Sequence, residues 1–108
     1  MKIAALVDDL FFSSKIMETA RQVGSEVVFC RSAEGVPPDA IRICVDLNAN
    51  SFDPVGEIHK LKRSHSAPIV AYLSHLQVDL KRKAEEAGAR EVIARSAFVN
   101  RLPELLSA

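Results

Sequence analysis

The most constraining feature of this sequence is a fivefold alternation between short apolar runs and segments whose apolar residues have helical spacing. The runs predict five strands: Lys2 to Val7, Glu26 to Cys30, Ile41 to Val45, Ile69 to Leu73 and Glu91 to Ala94. Most of them are continuously aliphatic, which is typical of a parallel sheet covered by helices on both faces. The sequence therefore predicts an α/β protein built from repeated β-α units.

Apolar stripes at helical spacing predict helices between and after these strands. The stripes are Ile16, Ala20 and Val23; Val55, Ile58 and Leu61; Leu76, Leu80, Ala84 and Ala87; and Phe98, Leu102 and Leu105. Gly24 and Gly88 stand where two of the helices must end. Asp53-Pro54 predicts an N-cap followed by proline at the first helical position, and Ser74 to Gln77 fits a capping box.

The second crossover is the exception, because Arg31 to Ala40 is only ten residues long and contains one glycine and two prolines. This is too short for a full helix, so we expect a single turn at Ser32 to Gly35. Five β-α units in 108 residues predict one domain over 1–108. The predicted fold is a flavodoxin-like three-layer sandwich, with a five-stranded parallel sheet of order 2-1-3-4-5 and a shortened second helix.

Composition narrows the class of partner. The 14 basic and 14 acidic side chains cancel, and no basic cluster stands apart from acids, so we expect neither nucleic acid nor a membrane surface as a partner. No apolar run approaches the roughly 20 residues of a membrane span, and the first one is too short for a signal peptide. We therefore expect a cytoplasmic protein in which Cys30 and Cys44 stay reduced, and their spacing gives no support for zinc.

Acidic residues follow two strands that the predicted order makes neighbours. Asp8 and Asp9 follow the first strand, and Asp46 follows the third. Because parallel neighbours end at the same edge of a sheet, we expect the three carboxylates to converge. Such a cluster needs a cation, and a few oxygen ligands suit Mg²⁺. Taken singly, Asp9 is equally explained as a helix cap, Asp8 as a solvated loop residue and Asp46 as a turn cap.

Three segments carry a resemblance to a known family. They resemble the CheY-like receiver domain of bacterial two-component response regulators. The segments are Leu6 to Asp9, Ile43 to Asp46 and Gly88 to Arg95. The resemblance covers essentially the whole chain. It implies a signalling module of a phosphorelay and not an enzyme.

The resemblance also implies a set of site residues. Asp46 would be the phosphoacceptor, attacking a phosphohistidine or a small phosphodonor to form an acyl phosphate. Asp9 and Asp46 would bind Mg²⁺ directly, Asp8 would bind it through water, and Asn48 would contribute its backbone carbonyl.

The sequence departs from the family at the end of the fourth strand. Receivers carry a serine or threonine there, but this chain has Leu73, and Ser74 follows one residue late. A shift of one residue turns a strand side chain to the opposite face. Ser74 is therefore better explained as a helix cap than as a hydroxyl that contacts phosphate.

A second departure follows the fifth strand, where Arg95-Ser96 replaces a Lys-Pro pair. Without proline the Arg95-Ser96 peptide bond should be trans. Arg95 is expected to supply the cation by holding Asp46 in a fixed bidentate pair. The alternative is that Arg95 points to solvent. Val92 also stands where receivers carry a tyrosine or phenylalanine.

These departures favour a stand-alone pseudo-receiver, a module with a degenerate phosphoswitch that acts through protein–protein interaction. The alternative is a functional single-domain response regulator phosphorylated on Asp46. A remoter alternative is a small flavodoxin-like nucleotide or cofactor binder, although the sequence has neither a GxGxxG motif nor a Walker lysine loop.

Two surfaces are candidates for protein contact. Leu10, Phe11 and Phe12 follow the acidic pair, and either one or two of them protrude beside the site or two are buried against the last helix. The expected partner is a histidine kinase or a regulated target. The chain is expected to be a monomer or a weak homodimer through the face of the predicted fourth and fifth helices, around Val78, Arg82, Arg101 and Leu102.

Overall fold

The computed structural model describes residues 1–74 and 77–107. The elements follow the chain in this order: β1 Lys2–Leu6, α1 Leu10–Val23, β2 Glu26–Cys30, a 3-10 turn Ala33–Gly35, β3 Arg42–Asp46, α2 Pro54–Ser64, β4 Ile69–Leu73, α3 Val78–Ala87, β5 Glu91–Ala94, α4 Arg95–Asn100 and α5 Leu102–Leu105. The predicted alternation of strands and helices is therefore present. The predicted third and fourth helices correspond to α2 and α3.

The strands form one five-stranded parallel sheet in the order β2-β1-β3-β4-β5, as predicted. The observed strand bounds differ from the predicted ones by at most one residue. β3 begins at Arg42 and takes in Asp46 as its last residue, which lies opposite Tyr72 of β4 in the register. Asp46 is thus fixed by the sheet itself rather than by a loop.

Helices cover both faces of the sheet, which makes the predicted three layers. Side chains on alternate positions of each strand go to opposite faces, so Ile43 and Val45 pack on one side and Cys44 on the other. The first core contains residues of α2, α3 and the 3-10 turn, and the second contains residues of α1, α4 and α5.

The second crossover contains the 3-10 turn in place of an α-helix, so the prediction of one turn is confirmed. A buried glutamate attaches this turn to α2. Glu57 accepts a hydrogen bond from the backbone N–H of Ala33 at 2.7 Å, and its other oxygen lies 3.4 Å from Lys60 Nζ. Because a buried carboxylate needs such partners, this contact fixes the crossover over the sheet.

The C-terminal helix differs from the prediction. The stripe of Phe98, Leu102 and Leu105 predicts one helix, but the structure has two short helices that meet at Arg101. Pro103 has no backbone N–H to donate to the carbonyl four residues earlier, and this breaks the helical ladder. The apolar stripe nevertheless remains buried on both short helices.

Most of the predicted helix ends are confirmed, with one exception. Gly24 and Gly88 end α1 and α3 with positive φ, and Asp53 caps α2 by accepting a hydrogen bond from Gly56 N. The prediction of a capping box that begins at Ser74 is wrong, because α3 begins at Val78 and its N-cap is Gln77. Two residues of that predicted motif, numbers 75 and 76, lie outside the described residues.

Cys30 and Cys44 are both free and buried, on strands that β1 separates. Burial raises the pKa of the Cys44 thiol to about 12. Among the described helices, none has the length and apolar character to cross a membrane.

Replacing Gly88 with alanine should destabilise the fold more than replacing Gly24. Both glycines have positive φ, which costs an L residue about 1 to 2 kcal/mol. A Cβ at Gly88 would also lie 2.8 Å from Lys62 Cβ, whereas a Cβ at Gly24 meets nothing within 4 Å. We expect the Gly88→Ala loss to exceed that of Gly24→Ala by about 1 kcal/mol or more in urea unfolding. Equal losses would contradict the close contact between α2 and the end of α3.

Candidate functional site

The candidate site is at the carboxyl edge of the sheet, around Asp46. Asp46 is only 2% exposed, and its Oδ1 accepts the backbone N–H of Asn48 at 2.8 Å. Burial raises the pKa of the Asp46 carboxyl, the Asn48 N–H and Arg95 lower it, and Asp8 and Asp9 raise it. The charges of Asp8, Asp9 and Arg95 therefore all act on the Asp46 carboxyl.

Asp8 supports the loop that follows β3. Its Oδ2 accepts the backbone N–H groups of Asn50 and Ser51, each at 2.9 Å. The Ser51 N–H is the main reason that the pKa of the Asp8 carboxyl is below its ordinary value. Asp8 is thus more than a solvated loop residue, because it connects the end of β1 to the segment between β3 and α2.

Asp9 is the N-cap of α1, which is the role that its position at a helix start predicts. Its Oδ1 accepts the backbone N–H of Phe12 at 3.1 Å. The hydroxyl of Ser13 donates to the Asp9 carbonyl at 2.8 Å. One oxygen of Asp9 is therefore engaged in holding the first turn of the helix.

The three carboxylates that are expected to bind Mg²⁺ all make other contacts in the structure. Each of the three carboxylates accepts at least one backbone N–H. Within residues 1–74 and 77–107, no group of three or more His, Cys, Asp or Glu side chains is arranged to hold a metal ion. Binding of Mg²⁺ by Asp8, Asp9, Asp46 and the backbone carbonyl of Asn48 stays a prediction.

Asn48 has a role that the sequence did not reveal. The prediction used its backbone carbonyl, but its side chain connects two other segments. Its Oδ1 accepts the backbone N–H of Ser74 at 2.6 Å, and its Nδ2 donates to Gln77 Oε1 at 2.8 Å. Asn48 therefore connects the ends of β3 and β4 to the start of α3.

Arg95 is the first residue of α4 and turns towards an aromatic ring. Its guanidinium carbon lies 5.3 Å from the centroid of Phe12, a distance at which a cation is attracted to the ring face. The Arg95-Ser96 peptide bond is trans, as predicted. The ion pairs of the described residues do not include one between Arg95 and Asp46.

The Phe12 ring under Arg95 belongs to a stack of three aromatic side chains. Tyr72 stacks on Phe12 with ring centroids 4.8 Å apart and on Phe98 at 4.2 Å. Leu73, the next residue of β4, points into the opposite core and is 3% exposed. Tyr72 was not among the predicted site residues. The sequence could have indicated Tyr72 only through its position on β4 opposite Asp46, and that position follows from the strand register.

The two predicted contact surfaces have different outcomes. Leu10 and Phe11 are 84% and 78% exposed beside the acidic edge, whereas Phe12 is buried, so the protruding alternative is confirmed. On the other surface Val78 is exposed, but Leu102 is 1% exposed and its assignment to the surface is wrong. Arg101 forms a salt bridge with Glu91, with 2.8 Å between Arg101 Nη1 and Glu91 Oε2.

Comparison with known proteins adds to this geometry. No family model and no curated protein matches the chain. Solved structures do match. A response regulator from Burkholderia pseudomallei, with a phosphorylated aspartic acid, a calcium ion and citrate, superposes with a TM-score of 0.82 at 17% identity. That match covers 99% of this chain and 66% of the Burkholderia chain.

Two further matches span nearly the full length of both chains. A CheY-like receiver domain protein from Methanospirillum hungatei has a TM-score of 0.78 at 15% identity, covering 97% of this chain and 92% of its own. A two-component response regulator from Clostridium difficile has a TM-score of 0.78 at 13% identity, covering 100% and 99%. The chain has the receiver-domain fold. At these identities the likeness concerns the fold, and the chemistry of the receiver-like edge rests on its own residues.

The capping role of Asp9 can be separated from its charge. Asp9→Ala removes the acceptor for Phe12 N–H and should cost about 1 kcal/mol in urea unfolding. Asp9→Asn keeps an acceptor oxygen and should remain close to the wild type, because asparagine and aspartate are comparable N-caps. An Asp9→Asn loss as large as that of Asp9→Ala would show that the charge, not the cap, is what the helix requires.

Asp46→Asn should stabilise the protein at neutral pH. Because burial raises the pKa of Asp46 in the folded state, the folded protein binds the proton more readily than the unfolded chain does. Stability then falls as pH rises through the interval between the unfolded and folded pKa values. We expect Asp46→Asn to be more stable than wild type at pH 7, with the difference vanishing below about pH 3.9. Unfolding free energies at a series of pH values test this, and a wild-type advantage at pH 7 would contradict it.

Proposed function

We propose that residues 1–108 form one receiver-like signalling domain that acts through protein–protein interaction and not by catalysis, with a degenerate phosphoswitch at Asp46. The observation that carries the proposal is the environment of Asp46, whose side chain is 2% exposed. A phosphoacceptor must present an ionised carboxylate to an incoming phosphoryl group. Burial opposes both requirements, since it shields Asp46 and raises its pKa.

The groups around Asp46 support the same proposal. Phosphoryl transfer requires cations that neutralise the charge on the transferred oxygens. Here Asp8 and Asp9 are engaged with backbone N–H groups, and Arg95 lies over Phe12. Leu73 provides no hydrogen-bonding group where the family carries a hydroxyl. The side chains at this edge are of the types found in receivers, but in this chain they make structural contacts.

The exposed apolar residues of α1 support an interaction role. Leu10 and Phe11 are exposed at the first turn of α1, directly after the acidic pair. Adjacent large apolar side chains exposed in this way are typical of protein-contact sites. The expected partner, a histidine kinase or a regulated target, would therefore contact the first turn of α1. Whether the chain is a monomer or a weak homodimer is a separate prediction, which sedimentation equilibrium tests.

The alternative function is phosphorylation of Asp46. It is favoured by the convergence of Asp8, Asp9 and Asp46 at one edge, and by the fold likeness to the Burkholderia protein, whose structure has a phosphorylated aspartic acid and a calcium ion. In this alternative Asp46 accepts the phosphoryl group. Asp9, Asp46 and the backbone carbonyl of Asn48 would then hold Mg²⁺ directly and Asp8 would hold it through water, while Arg95 would contribute positive charge.

A titration with beryllofluoride and Mg²⁺, followed by amide NMR, separates the two functions. Beryllofluoride forms an analogue of the acyl phosphate only on a carboxylate that is accessible and ionised. We expect no saturable shift at the amides of Asn48 and Ser74 in the wild type, and a spectrum that responds no more than that of Asp46→Asn. Mg²⁺ alone is the parallel titration for the metal.

One result would overturn the proposal in favour of phosphorylation. It is a saturable set of shifts around Asn48 that requires both beryllofluoride and Mg²⁺ and disappears in Asp46→Asn. Asp46→Asn is a suitable control because its side-chain oxygen can still accept the Asn48 N–H.

A further inference from the structure

The strand β2 lies at one end of the sheet, beside β1. The backbone N–H of Glu26 donates to the Met1 carbonyl at 3.0 Å, so the backbone groups of Glu26 face β1. Because successive residues of a strand direct their backbone groups to alternate sides, those of Val28 also face β1. The N–H and C=O groups of Val27 and Phe29 therefore face outward. Neither residue takes part in the loop, turn and cap hydrogen bonds of residues 1–74 and 77–107.

The side chains of β2 do little to protect this edge. Natural edge strands are commonly protected by proline, by lysine or by being very short. The five residues of β2 include neither proline nor lysine, and the central ones, Val27, Val28 and Phe29, are apolar and half-buried. The strand at the other end of the sheet differs. β5 has four residues and begins with Glu91, which is paired with Arg101.

The two ends of β2 carry opposite charges. Glu26 begins the strand and Arg31 directly follows it, and both residues are exposed. Neither belongs to the ion pairs of the part of the chain that the structure describes. If two copies of β2 pair in antiparallel orientation, the Glu26 end of each copy meets the Arg31 end of the other. Opposite charges then lie together at both ends, so the strand is complementary to itself.

The outward backbone groups also match in this orientation. In an antiparallel pair, residues that face each other across a narrow pair exchange both of their hydrogen bonds. Pairing Val27 with Phe29 of a second copy uses the outward N–H and C=O groups of both residues in both strands. The same register places Val28 of the two copies opposite each other at the twofold axis. Pairs of β-branched and aromatic residues of this kind stabilise neighbouring strands.

We propose that the outer edge of β2 is a self-association surface, on which a second copy of this chain adds its own β2 in antiparallel orientation. The two five-stranded sheets then become one continuous sheet across a twofold axis. This surface differs from the predicted dimer face around Val78 and Arg82. It does not depend on the state of Asp46 and goes beyond the proposed function. A single pair of strands is a small interface, so the dimer is weak.

The first test is sedimentation equilibrium of the whole chain in a reducing buffer. We expect a concentration-dependent dimer in the wild type. Val27→Pro removes an outward N–H and no hydrogen bond to β1, and it should weaken dimerisation by about tenfold or more. Val27→Thr keeps the N–H and the β-branch and should dimerise as the wild type does. Circular dichroism checks that each variant is folded.

The second test uses charge and still decides the matter if Val27→Pro does not fold. Glu26→Arg and Arg31→Glu each place like charges together at both ends of the pair. At low ionic strength each should weaken dimerisation by about threefold or more, and the double variant should restore it. Glu85→Arg is the matched control, because it makes the same change in net charge on α3, which is exposed there and distant from β2 in the sheet order.

Amide hydrogen exchange identifies the surface directly. The amides of Val27 and Phe29 should exchange more slowly as the protein concentration rises, whereas that of Val28 already faces β1 and should change little. A chain that stays monomeric at about 1 mM would overturn the proposal and leave the edge to a strand of a different protein. A dimer that is weakened by Val78→Asp but not by the charge reversals at β2 would also overturn it. Neither result bears on the proposed role of Asp46.

Discussion

The parallel register of β1, β3 and β4 is the constraint on which the rest of the site depends. It brings the end of β1 beside the end of β3, and it sets Asp46 opposite Tyr72. Because this register is fixed by buried aliphatic residues, it persists whatever the polar residues at the edge do. Acidic groups that repel one another are therefore held together by apolar packing several residues away.

The polar edge is stabilised mainly by backbone donors. Asp8, Asp9 and Asp46 each accept N–H groups from the segment that follows their strand or from the loop opposite, and Asn48 connects β3 to β4 and α3. Charge-assisted bonds of this kind offset part of the repulsion between the carboxylates. The same residue types that bind a cation in a receiver can therefore order an edge by themselves, which is why fold likeness alone does not establish the chemistry.

The sequence was sufficient for the architecture and for part of the site. Aliphatic runs located the strands to within one residue, and Gly24, Gly88 and Asp53 marked helix ends through local conformational preferences. Local patterns misled at Ser74, whose spacing to Gln77 imitates a capping box although α3 begins later. The orientation of Arg95 could not be predicted because it depends on Phe12, which is distant in sequence and is positioned by a different helix.

The junction between β5 and α4 has a mechanical consequence. Ala94 ends the strand and Arg95 begins the helix, with no loop residue between them. Arg95 is therefore not carried on a flexible linker. A large reorientation of its backbone requires unwinding the first turn of α4 or displacing the edge strand. A displacement of the Arg95 backbone is therefore coupled to α4 and to β5.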